Sequence, residues 1–344
     1  MESPRRRGVR GVFCLLFTVI CLCYAELPEI HFVSLFGVMN TPSSWCALES
    51  LLRIGAENKD NPMIINVWQY ERAEDKSSGQ ALAIKEQLSQ LGEIAIHPIN
   101  FTDLFLETPL YDTFIADGQV KDIDSPKKKR RQYLLGTLWK QNLGNGARLA
   151  ILLKHGGIYL DLDHIVLKDV RALPYGFATV ANKANNAFMH FPRSHPFLQD
   201  YSAVFVKEYN GSKWGHNGPR AVEKVWQDKW ARKCQGSGCN ISPLPSNITS
   251  IVRFSSFNEL MLSSAPSDDV RSIAERIESV SYALHFFNKV SAMYLSSAIE
   301  EARRARGQRR RRASYASYPL GYLKLKYCPL VTDLELGLYK KSSS

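Results

Sequence analysis

The sequence has few cysteines, a longest apolar run that is short for a membrane span, and no general excess of either charge. Three of its seven cysteines lie before Ala25. The other four are too widely spaced for a structural zinc site: Cys46, Cys234, Cys239 and Cys328. In an oxidising compartment four cysteines can form two disulfides by three pairings, and the short loop between Cys234 and Cys239 favours that pair.

The net charge of +11 comes from two short tracts and is not spread over the chain. Residues 127–131 hold five basic residues and residues 303–312 hold seven. Removing these 12 from the 44 Lys and Arg leaves 32, against 33 Asp and Glu. Nucleic-acid binding would depend on the tracts alone, so we expect no nucleic-acid partner. Because like charges repel, we expect the second tract to be a mobile insertion.

The N-terminal stretch from Met1 to Ala25 is a targeting segment. Four arginines in residues 1–10 precede an apolar run from Val12 to Ala25. A bilayer-spanning helix needs about 20 apolar residues, more than this run contains, and residues 23–25 offer a small-residue cleavage site. These residues leave two interpretations open. One is a cytoplasmic segment at 1–10 followed by a signal-anchor at 11–25, and the other is a cleaved signal peptide with a secreted product.

Acceptor sequences for N-glycosylation support a secretory-pathway location. They consist of asparagine, any residue but proline, and serine or threonine. Four occur, and chance alone would supply one or two, so the support is modest. Their asparagines are Asn100, Asn210, Asn240 and Asn247.

The stretch from Ala147 to Asp163, ARLAILLKHGGIYLDLD, organises the chain. Its first half predicts a buried helix that ends at a pair of glycines, and a short buried strand follows. That strand ends at Asp161 and Asp163, which point the same way if the extended geometry continues. Two carboxylates at a strand end can hold Mg²⁺ or Mn²⁺ that carries a diphosphate.

Strands and helices alternate before this stretch, which predicts an α/β fold with a mostly parallel sheet and helices on both faces. Ligands of such sheets bind beyond the carboxyl ends of the strands, where the two aspartates fall. We expect one domain over residues 30–336. The predicted strands are Ile30–Phe36, Met63–Trp68 and Ile94–Ile96, and the predicted helices are Trp45–Gly55, Ala81–Leu91 and Gln132–Gln141.

Two later segments carry candidate ligand contacts. A predicted strand over Val280–Phe287 delivers His285, a candidate metal ligand, and Lys289, whose point charge suits a diphosphate. A lone histidine is more often a core residue, which is the competing interpretation. The segment Trp214–Pro219 places an indole beside two glycines, where a ligand can approach the backbone closely; a turn before the next helix is the alternative.

These motifs resemble those of the α-1,4-glycosyltransferase family, which has the GT-A fold and a donor-site Asp-x-Asp motif. The resemblance runs from about Ile30 to Leu336, with the motifs in the family's order. The matching segments are residues 45–50 (WCALES), 147–163, 214–219 (WGHNGP), 285–289 (HFFNK) and 327–329 (YCP).

The resemblance implies a retaining hexosyltransferase that moves galactose or an N-acetylhexosamine from a UDP-sugar to a glycolipid or glycan acceptor. It implies Mn²⁺ or Mg²⁺ as cofactor and a Golgi enzyme held in the membrane by a signal-anchor, with its catalytic domain in the lumen. The residue roles it implies are Asp161, Asp163 and His285 at the metal, Asn145 and Arg148 at the donor sugar, and Asn186, Trp214, His216 and Asn217 at the substrate or acceptor.

One position departs from the family pattern, which usually reads Asp-x-x-Arg where this chain has Asn145 and Arg148. A neutral amide keeps a hydrogen-bond acceptor but loses a charge-assisted bond, a difference of roughly 1–2 kcal/mol. The alternative function is therefore a catalytically inactive lumenal relative that acts as a binding or partner protein.

Overall fold

The computed structural model describes residues 27–57, 62–70, 79–116, 136–235 and 239–338. The central feature is a seven-stranded sheet, and two further strands pair beside it. In chain order the strands are β1 (Ile30–Leu35), β2 (Ile65–Tyr70), β3 (Ile94–Pro98), β4 (Gly157–Leu160), β5 (His164–Val166), β6 (Gly176–Val180), β7 (Lys183–Phe191), β8 (Ser242–Pro243) and β9 (Ala283–His285).

The large sheet has the order β3-β2-β1-β4-β7-β6-β8, and most of its pairings are parallel. Only β7 runs antiparallel to its neighbours, β4 and β6. The small sheet pairs β5 with β9 in antiparallel fashion. The predicted α/β fold with a mostly parallel sheet is confirmed.

Helices surround the sheet on both faces, as the alternation predicted. Those of the described residues are α1 (Cys46–Glu57), α2 (Gly79–Leu88), α3 (Phe101–Phe105), α4 (Trp139–His155), α5 (Pro196–Lys207), α6 (Ala221–Val225), α7 (Ala231–Lys233), α8 (Phe257–Met261), α9 (Ser267–Val280), α10 (Asn288–Arg304), α11 (Gln308–Tyr315), α12 (Pro319–Tyr327) and α13 (Pro329–Glu335). Short 3₁₀ and π segments connect several of them.

The sheet separates two apolar cores because successive residues of a strand face opposite sides. In β4, Ile158 and Leu160 lie in the core that also contains α1 and the C-terminal helices. Tyr159, between them, lies in the other core with α4 and α5. The strand ends are therefore held from both faces.

The WCALES segment has a structural role that the sequence alone did not reveal. Cys46 forms a disulfide with Cys328, and the buried Glu49 carboxylate accepts hydrogen bonds from the backbone of Leu330 and Val331 at the start of α13. Ser50 Oγ accepts a bond from the backbone N–H of Val166 in β5. This motif thus ties the C-terminal helices and β5 to α1.

Most predicted elements differ from the observed ones by one to three residues at an end, and two differ more. The helices expected over Gln132–Gln141 and from Ala147 onward are a single 17-residue helix in the described residues, α4. The strand expected over Val280–Phe287 contains only three residues, because the amphipathic helix α9 continues to Val280.

The arginine tract, expected as a mobile insertion, spans the end of α10, a bend at residues 305–307 and the start of α11, and it is attached to the C-terminal segment. Arg303 Nε and Arg311 Nη1 donate to the carbonyl oxygens of Glu335 and Leu336, and Arg312 forms an ion pair with Asp333. These carbonyl and carboxylate acceptors offset the repulsion on which the expectation rested. The other basic tract, 127–131, lies outside the described residues.

The predicted Cys234–Cys239 disulfide is confirmed, and it leaves Cys46 and Cys328 as the second pair. All four acceptor asparagines for glycosylation are exposed, so the fold is compatible with their modification. The expected signal-anchor at 11–25 lies outside the described part of the chain, which begins at Leu27. No helix in the described residues has the length and apolar character needed to cross a membrane.

Candidate functional site

Two glycines let β4 begin immediately after α4. Gly156 and Gly157 have positive φ angles of 74° and 84°, and a Cβ on either would lie 2.4 Å from a backbone atom of a neighbouring segment. Other residues would therefore be strained there. The extended geometry ends at Leu160, and the chain bends at Leu162 and Asp163. The two aspartates consequently meet different partners.

Asp161 is held by side chains from α4 and β4. Its carboxylate forms an ion pair with Arg148 (Nη2 to Oδ1, 3.1 Å) and accepts a 2.5 Å hydrogen bond from the Tyr159 hydroxyl. Tyr159 is two residues earlier, and the Asp161 backbone N–H still bonds to the Ala187 carbonyl of β7, so both side chains leave the same face. Burial raises the pKa of the Asp161 carboxyl; Arg148 opposes this rise, and the nearby Asp163 charge adds to it.

Arg148 connects this carboxylate to the antiparallel strand β7. Its Nη1 donates to the backbone oxygen of Asn186 at 2.8 Å, and its guanidinium lies 4.7 Å from the centre of the Tyr159 ring. With its side chain only 13% exposed, the guanidinium is fixed by contacts on three sides. Arg148 therefore fixes the position of Asp161, whatever else it contacts.

Asp163 lies beside two stacked imidazoles. His285 Nε2 is 3.2 Å from Asp163 Oδ1, and the ring of His164 stacks on that of His285 with centroids 4.4 Å apart. The stack exists because β5 and β9 place His164 directly opposite His285. Burial lowers the pKa of His164 to about 3. Burial also acts to lower the pKa of His285, but the Asp163 carboxylate reverses that shift and the net direction is upward.

The predicted metal set is therefore brought together in part. Candidate ligand atoms of Asp163, His164 and His285 lie within 4.8 Å of one another. Two buried ring nitrogens of this group, His164 Nε2 and His285 Nδ1, have no hydrogen-bond partner among the described residues. Of this group, the Asp163 carboxylate and His285 Nε2, which are 3.2 Å apart, suit a divalent cation best. Asp161 stands next to this group with its carboxylate bound to Arg148 and Tyr159.

The predicted donor-sugar residues are close to the aspartates. Asn186 Nδ2 donates to Asn145 Oδ1 at 2.9 Å, and Asn145 lies on α4 one turn before Arg148. A Cβ at Gly218 would come within 2.9 Å of the Asn145 oxygen. A side chain at Gly218 would therefore displace this amide pair, whereas glycine lets the backbone of the WGHNGP segment approach it without that shift.

The rest of that segment divides into one exposed and two bonded side chains. Trp214 is 62% exposed. His216 Nε2 donates to the carbonyl oxygen of Glu208, and Asn217 is buried with both amide hydrogens bonded, to Asn142 Oδ1 and to the Asn210 carbonyl. Asn217 thus holds the loop against α4.

Two further predicted positions need separate mention. Lys289 is the second residue of α10, directly after the strand that carries His285, and its side chain lies outside the described part of the structure. His216 and Asn217 also line a half-open cleft of about 190 Å³ together with three basic residues, and the two aspartates do not line it. Those basic residues are Lys213, Arg220 and Lys224.

Sequence reasoning missed Tyr159 and His164. The first carried a usable signal, because a residue two before Asp161 on a strand shares its face. The second follows Asp163 directly, but its relation to His285 depends on the pairing of β5 with β9, which are far apart in the sequence. No local pattern contains that information.

Two family models match the chain, and each covers one half of the site. The model described as "Glycosyltransferase sugar-binding region containing DXD motif" matches residues 69–181, which include both aspartates and Arg148. The model described as "Alpha 1,4-glycosyltransferase conserved region" matches residues 190–305, which include Trp214 and His285.

Curated proteins similar to this chain have related names. Lactosylceramide 4-alpha-galactosyltransferase of Pongo pygmaeus is 30% identical over 203 residues, which are 56% of this chain and 82% of that protein. The Homo sapiens protein of that name is 30% identical over 213 residues, 59% of this chain and 54% of its own length. Human alpha-1,4-N-acetylglucosaminyltransferase is 26% identical over 138 residues, 40% of this chain and 36% of that protein.

The chain spans a little over half the length of the human, chimpanzee and gorilla galactosyltransferases that it matches. Among solved structures, the PaToxG glycosyltransferase aligns over 74% of this chain and 77% of its own, with 13% identity and a TM-score of 0.38.

Proposed function

Because this chain belongs to the α-1,4-glycosyltransferase family, we propose that it transfers a hexose from a UDP-sugar to a glycolipid or glycan acceptor. The sugar is galactose or an N-acetylhexosamine, and the anomeric configuration is retained. The observation that carries the proposal is the cluster of Asp163, His164 and His285 beside the Arg148–Asp161 pair, at the carboxyl end of β4.

A divalent cation, Mn²⁺ or Mg²⁺, would be held by Asp163 and His285, with Asp161 alongside. Bound there, it would neutralise the diphosphate and stabilise the charge of the departing nucleoside diphosphate. The 3.2 Å separation of His285 Nε2 from Asp163 Oδ1 supports this assignment, since it places an imidazole nitrogen and a carboxylate oxygen within reach of one ion.

The chain's own residues prepare the site for the donor. Arg148 and Tyr159 keep Asp161 in one orientation, so little reorganisation is needed when a charged ligand arrives. The Asn145–Asn186 amide pair, one helical turn away, offers hydrogen-bonding groups for the hydroxyls of the donor sugar. Lys289 follows the strand of His285, where its charge suits the diphosphate.

The acceptor side is assigned to the WGHNGP segment. Trp214 presents an exposed indole that can serve as a flat apolar platform for a sugar ring, and the contact of Gly218 with Asn145 joins this segment to the donor residues. We place the enzyme in the Golgi membrane, held by its N-terminal segment with the catalytic domain in the lumen. Cleavage of that segment would give a secreted form.

The test is a donor and acceptor screen with the full chain in detergent. UDP-galactose, UDP-N-acetylglucosamine and UDP-N-acetylgalactosamine are offered with Mn²⁺ and acceptors ending in lactose or N-acetylglucosamine. We expect transfer, or donor hydrolysis, that a chelator abolishes and Mn²⁺ restores. Asp163→Asn should lower the rate by at least about 100-fold, since it removes a charged metal contact.

Asp228→Asn is the matched control, because Asp228 is an exposed aspartate paired with Lys224 away from the cluster. It should leave the rate unchanged. Absence of metal-dependent cleavage for every UDP-sugar would overturn the proposal and favour the second candidate.

The second candidate is an inactive relative that binds a partner or ligand in the lumen. The neutral side chain at Asn145, where the family usually has Asp, favours it. The variant Asn145→Asp separates the two candidates. If the unchanged protein is inactive and the variant transfers sugar, then the neutral side chain at position 145 is the cause of the inactivity. If the unchanged protein is active and the variant has a lower transfer rate, then the Asn145 amide itself contributes to the reaction.

A further inference from the structure

The arginine tract at 303–312 is a feature of the chain that the proposed function does not use. Its ten residues include seven arginines and no acidic residue. They occupy the end of α10, the bend at 305–307 and the start of α11, and these two helices pack against each other. The fold therefore collects seven positive charges in one small part of the surface.

Three of the seven arginines hold this segment in place. Arg303, Arg311 and Arg312 bond to acceptors of the C-terminal segment, as described above. The last two share a face of α11 with Tyr315, whose side chain is fully buried, because residues three and four apart on a helix are neighbours. These contacts determine which face of α11 is turned toward the protein.

The other four arginines form a group that we call the arginine corner. Each is exposed, and none has an ion pair or a side-chain hydrogen bond among the described residues. Residues two apart on a helix point about 200° away from each other, so Arg309 and Arg310 are turned outward when the two arginines that follow face the protein. The members of the corner are Arg304, Arg306, Arg309 and Arg310.

The start of α11 adds to the positive charge of this corner. The first turn of the helix has no acidic residue, and Gly307 provides no capping side chain. Cations are unfavourable at that end of a helix, where unbonded N–H groups already carry partial positive charge. An anionic partner would therefore relieve repulsion at the arginine corner.

The composition of the corner indicates which kind of anion it would take. Guanidinium groups bind oxyanions through two parallel hydrogen bonds, and short basic runs occur in heparin-binding and nucleic-acid-binding patches. The residues between the four arginines are Ala305, Gly307 and Gln308, so the corner has no large apolar side chain to insert into a bilayer. The two disulfides are typical of an oxidising compartment, where glycans and not nucleic acids are the available polyanions.

We propose that the arginine corner binds a sulfated glycan chain, through ion pairs between its four guanidinium groups and the sulfate groups. The corner lies at the C-terminal end of α10, whereas the strand that carries His285 lies just before the other end. A helix of 17 residues is about 25 Å long. A glycan bound at the corner would leave the cluster of Asp163 and His285 open, so this binding is separate from the proposed transfer and does not depend on it.

The test measures binding of a fluorescent heparin oligosaccharide to the full chain in detergent, by anisotropy at increasing salt. We expect binding that weakens as salt rises, and no binding of a desulfated oligosaccharide of the same length. The variant Arg304→Gln/Arg306→Gln/Arg309→Gln/Arg310→Gln should bind about 10- to 100-fold more weakly, since it loses four exposed ion pairs. Its affinity should also depend less steeply on salt, because fewer counterions are released.

The matched control removes four exposed arginines outside the tract and has the same net charge as the corner variant. It should bind the sulfated oligosaccharide as the unchanged protein does. Both variants keep the basic residues 127–131, so those residues cannot cause a difference between them. Equal weakening in the two variants would overturn the proposal, and so would undiminished binding by the corner variant. The control is Arg193→Gln/Arg253→Gln/Arg271→Gln/Arg276→Gln.

Two further probes distinguish the partner classes. Single-stranded RNA and vesicles that contain phosphatidylserine are titrated in the same way, and we expect both to bind more weakly than the sulfated oligosaccharide. Tighter binding of either would overturn the proposal. These measurements need no turnover, so a chain that binds through the corner but transfers no sugar would keep this proposal and refute the enzyme. A chain that transfers sugar but does not bind the oligosaccharide would do the opposite.

Discussion

Two regions of this molecule contain a buried ion pair, and they differ in what surrounds it. At the carboxyl end of β4, Arg148 and Asp161 lie beside imidazoles whose ring nitrogens lack partners among the described residues. Behind the Cys46–Cys328 disulfide, Lys324 donates to both oxygens of Glu335 and to Ser43 Oγ, and Ser43 in turn donates to Glu335. We call the first region the carboxyl-end site and the second the C-terminal anchor.

The difference in unpartnered polar atoms distinguishes a ligand-binding site from an ion pair with a structural role. Both pairs cost desolvation, which their attraction repays only when the remaining polar atoms are also bonded. In the C-terminal anchor every polar atom of the Lys324–Glu335 pair has an internal partner, and the exception nearby is the buried Tyr315 hydroxyl, which has none among the described residues. The carboxyl-end site keeps lone pairs without one, and such a defect is retained where a ligand completes it. The four predictions below test this distinction.

The largest effect on stability is expected in the C-terminal anchor. Lys324→Met leaves the Glu335 carboxylate buried without its cation, which should lower the free energy of unfolding by about 3–5 kcal/mol. Urea unfolding followed by fluorescence measures the loss. The double variant Lys324→Met/Glu335→Leu removes both charges and should recover most of the stability. If Lys324→Met were as stable as the unchanged protein, the Lys324–Glu335 pair would not contribute to the free energy of unfolding.

A smaller effect, on activity and not on stability, is expected at the carboxyl-end site. Arg148→Lys keeps the charge but cannot contact Asp161 and the Asn186 carbonyl together, because an ammonium lacks the planar fork. Loss of one charged hydrogen bond of about 1.5–3 kcal/mol should reduce kcat/KM roughly 10- to 100-fold. Steady-state kinetics with the best donor gives the value. Unchanged kinetics would mean that the orientation of Asp161 does not limit the reaction.

The two regions also differ in how far the sequence predicts them. The order of strands and helices follows from local patterns, and so does the turn at Gly156 and Gly157, where a Cβ has no room. The position of Asp161 and Asp163 at a strand end follows likewise. The family resemblance was accessible from the same motifs and is confirmed by the comparisons.

Long-range pairing was not accessible in the same way. The WCALES segment resembled a functional motif, but its Cys46 and Glu49 bond to partners near the other end of the chain, Cys328 and the start of α13. Asp161 and Asp163 were expected to converge, and the bend after Leu160 gives each a different partner. Such outcomes depend on which distant segments pack together, so local periodicity cannot specify them.

His31 limits the comparison, because its Nε2 also lacks a partner among the described residues. Its ring lies among Trp68 and His155, and its Nε2 is 4.0 Å from the Glu29 carboxylate, but the described residues around it form no cluster of three ligand atoms close enough for one metal ion. Burial, with a contribution from His155, lowers the pKa of His31 to about 4. The folded protein therefore resists protonation of His31, and stability present above pH 6.5 is lost as the pH falls toward 4.

Between pH 7 and pH 5 this linkage should cost about 2 kcal/mol of unfolding free energy. His31→Asn keeps an acceptor for the Trp68 indole but does not titrate, so it should lose correspondingly less over that range. Urea titrations at both pH values measure the difference, and transfer activity should be unaffected at pH 7. Equal losses in the two proteins would contradict the assigned pKa. A loss of transfer would mean that an unpartnered imidazole marks function even outside the cluster of Asp163 and His285.

The smallest effect is expected from an exposed ion pair next to the C-terminal anchor. Arg312 bonds to Asp333 on α13, the helix that also carries Glu335, but the Arg312 side chain is 43% exposed. Water screens such a pair, so Arg312→Gln should lower the unfolding free energy by less than about 1 kcal/mol. Both Arg312→Gln and Lys324→Met remove one cation from a carboxylate of the same helix. The difference between their losses of unfolding free energy therefore reports the effect of burial. Equal losses would mean that helix α13 depends on its total charge, and not on which of its carboxylates is shielded from water.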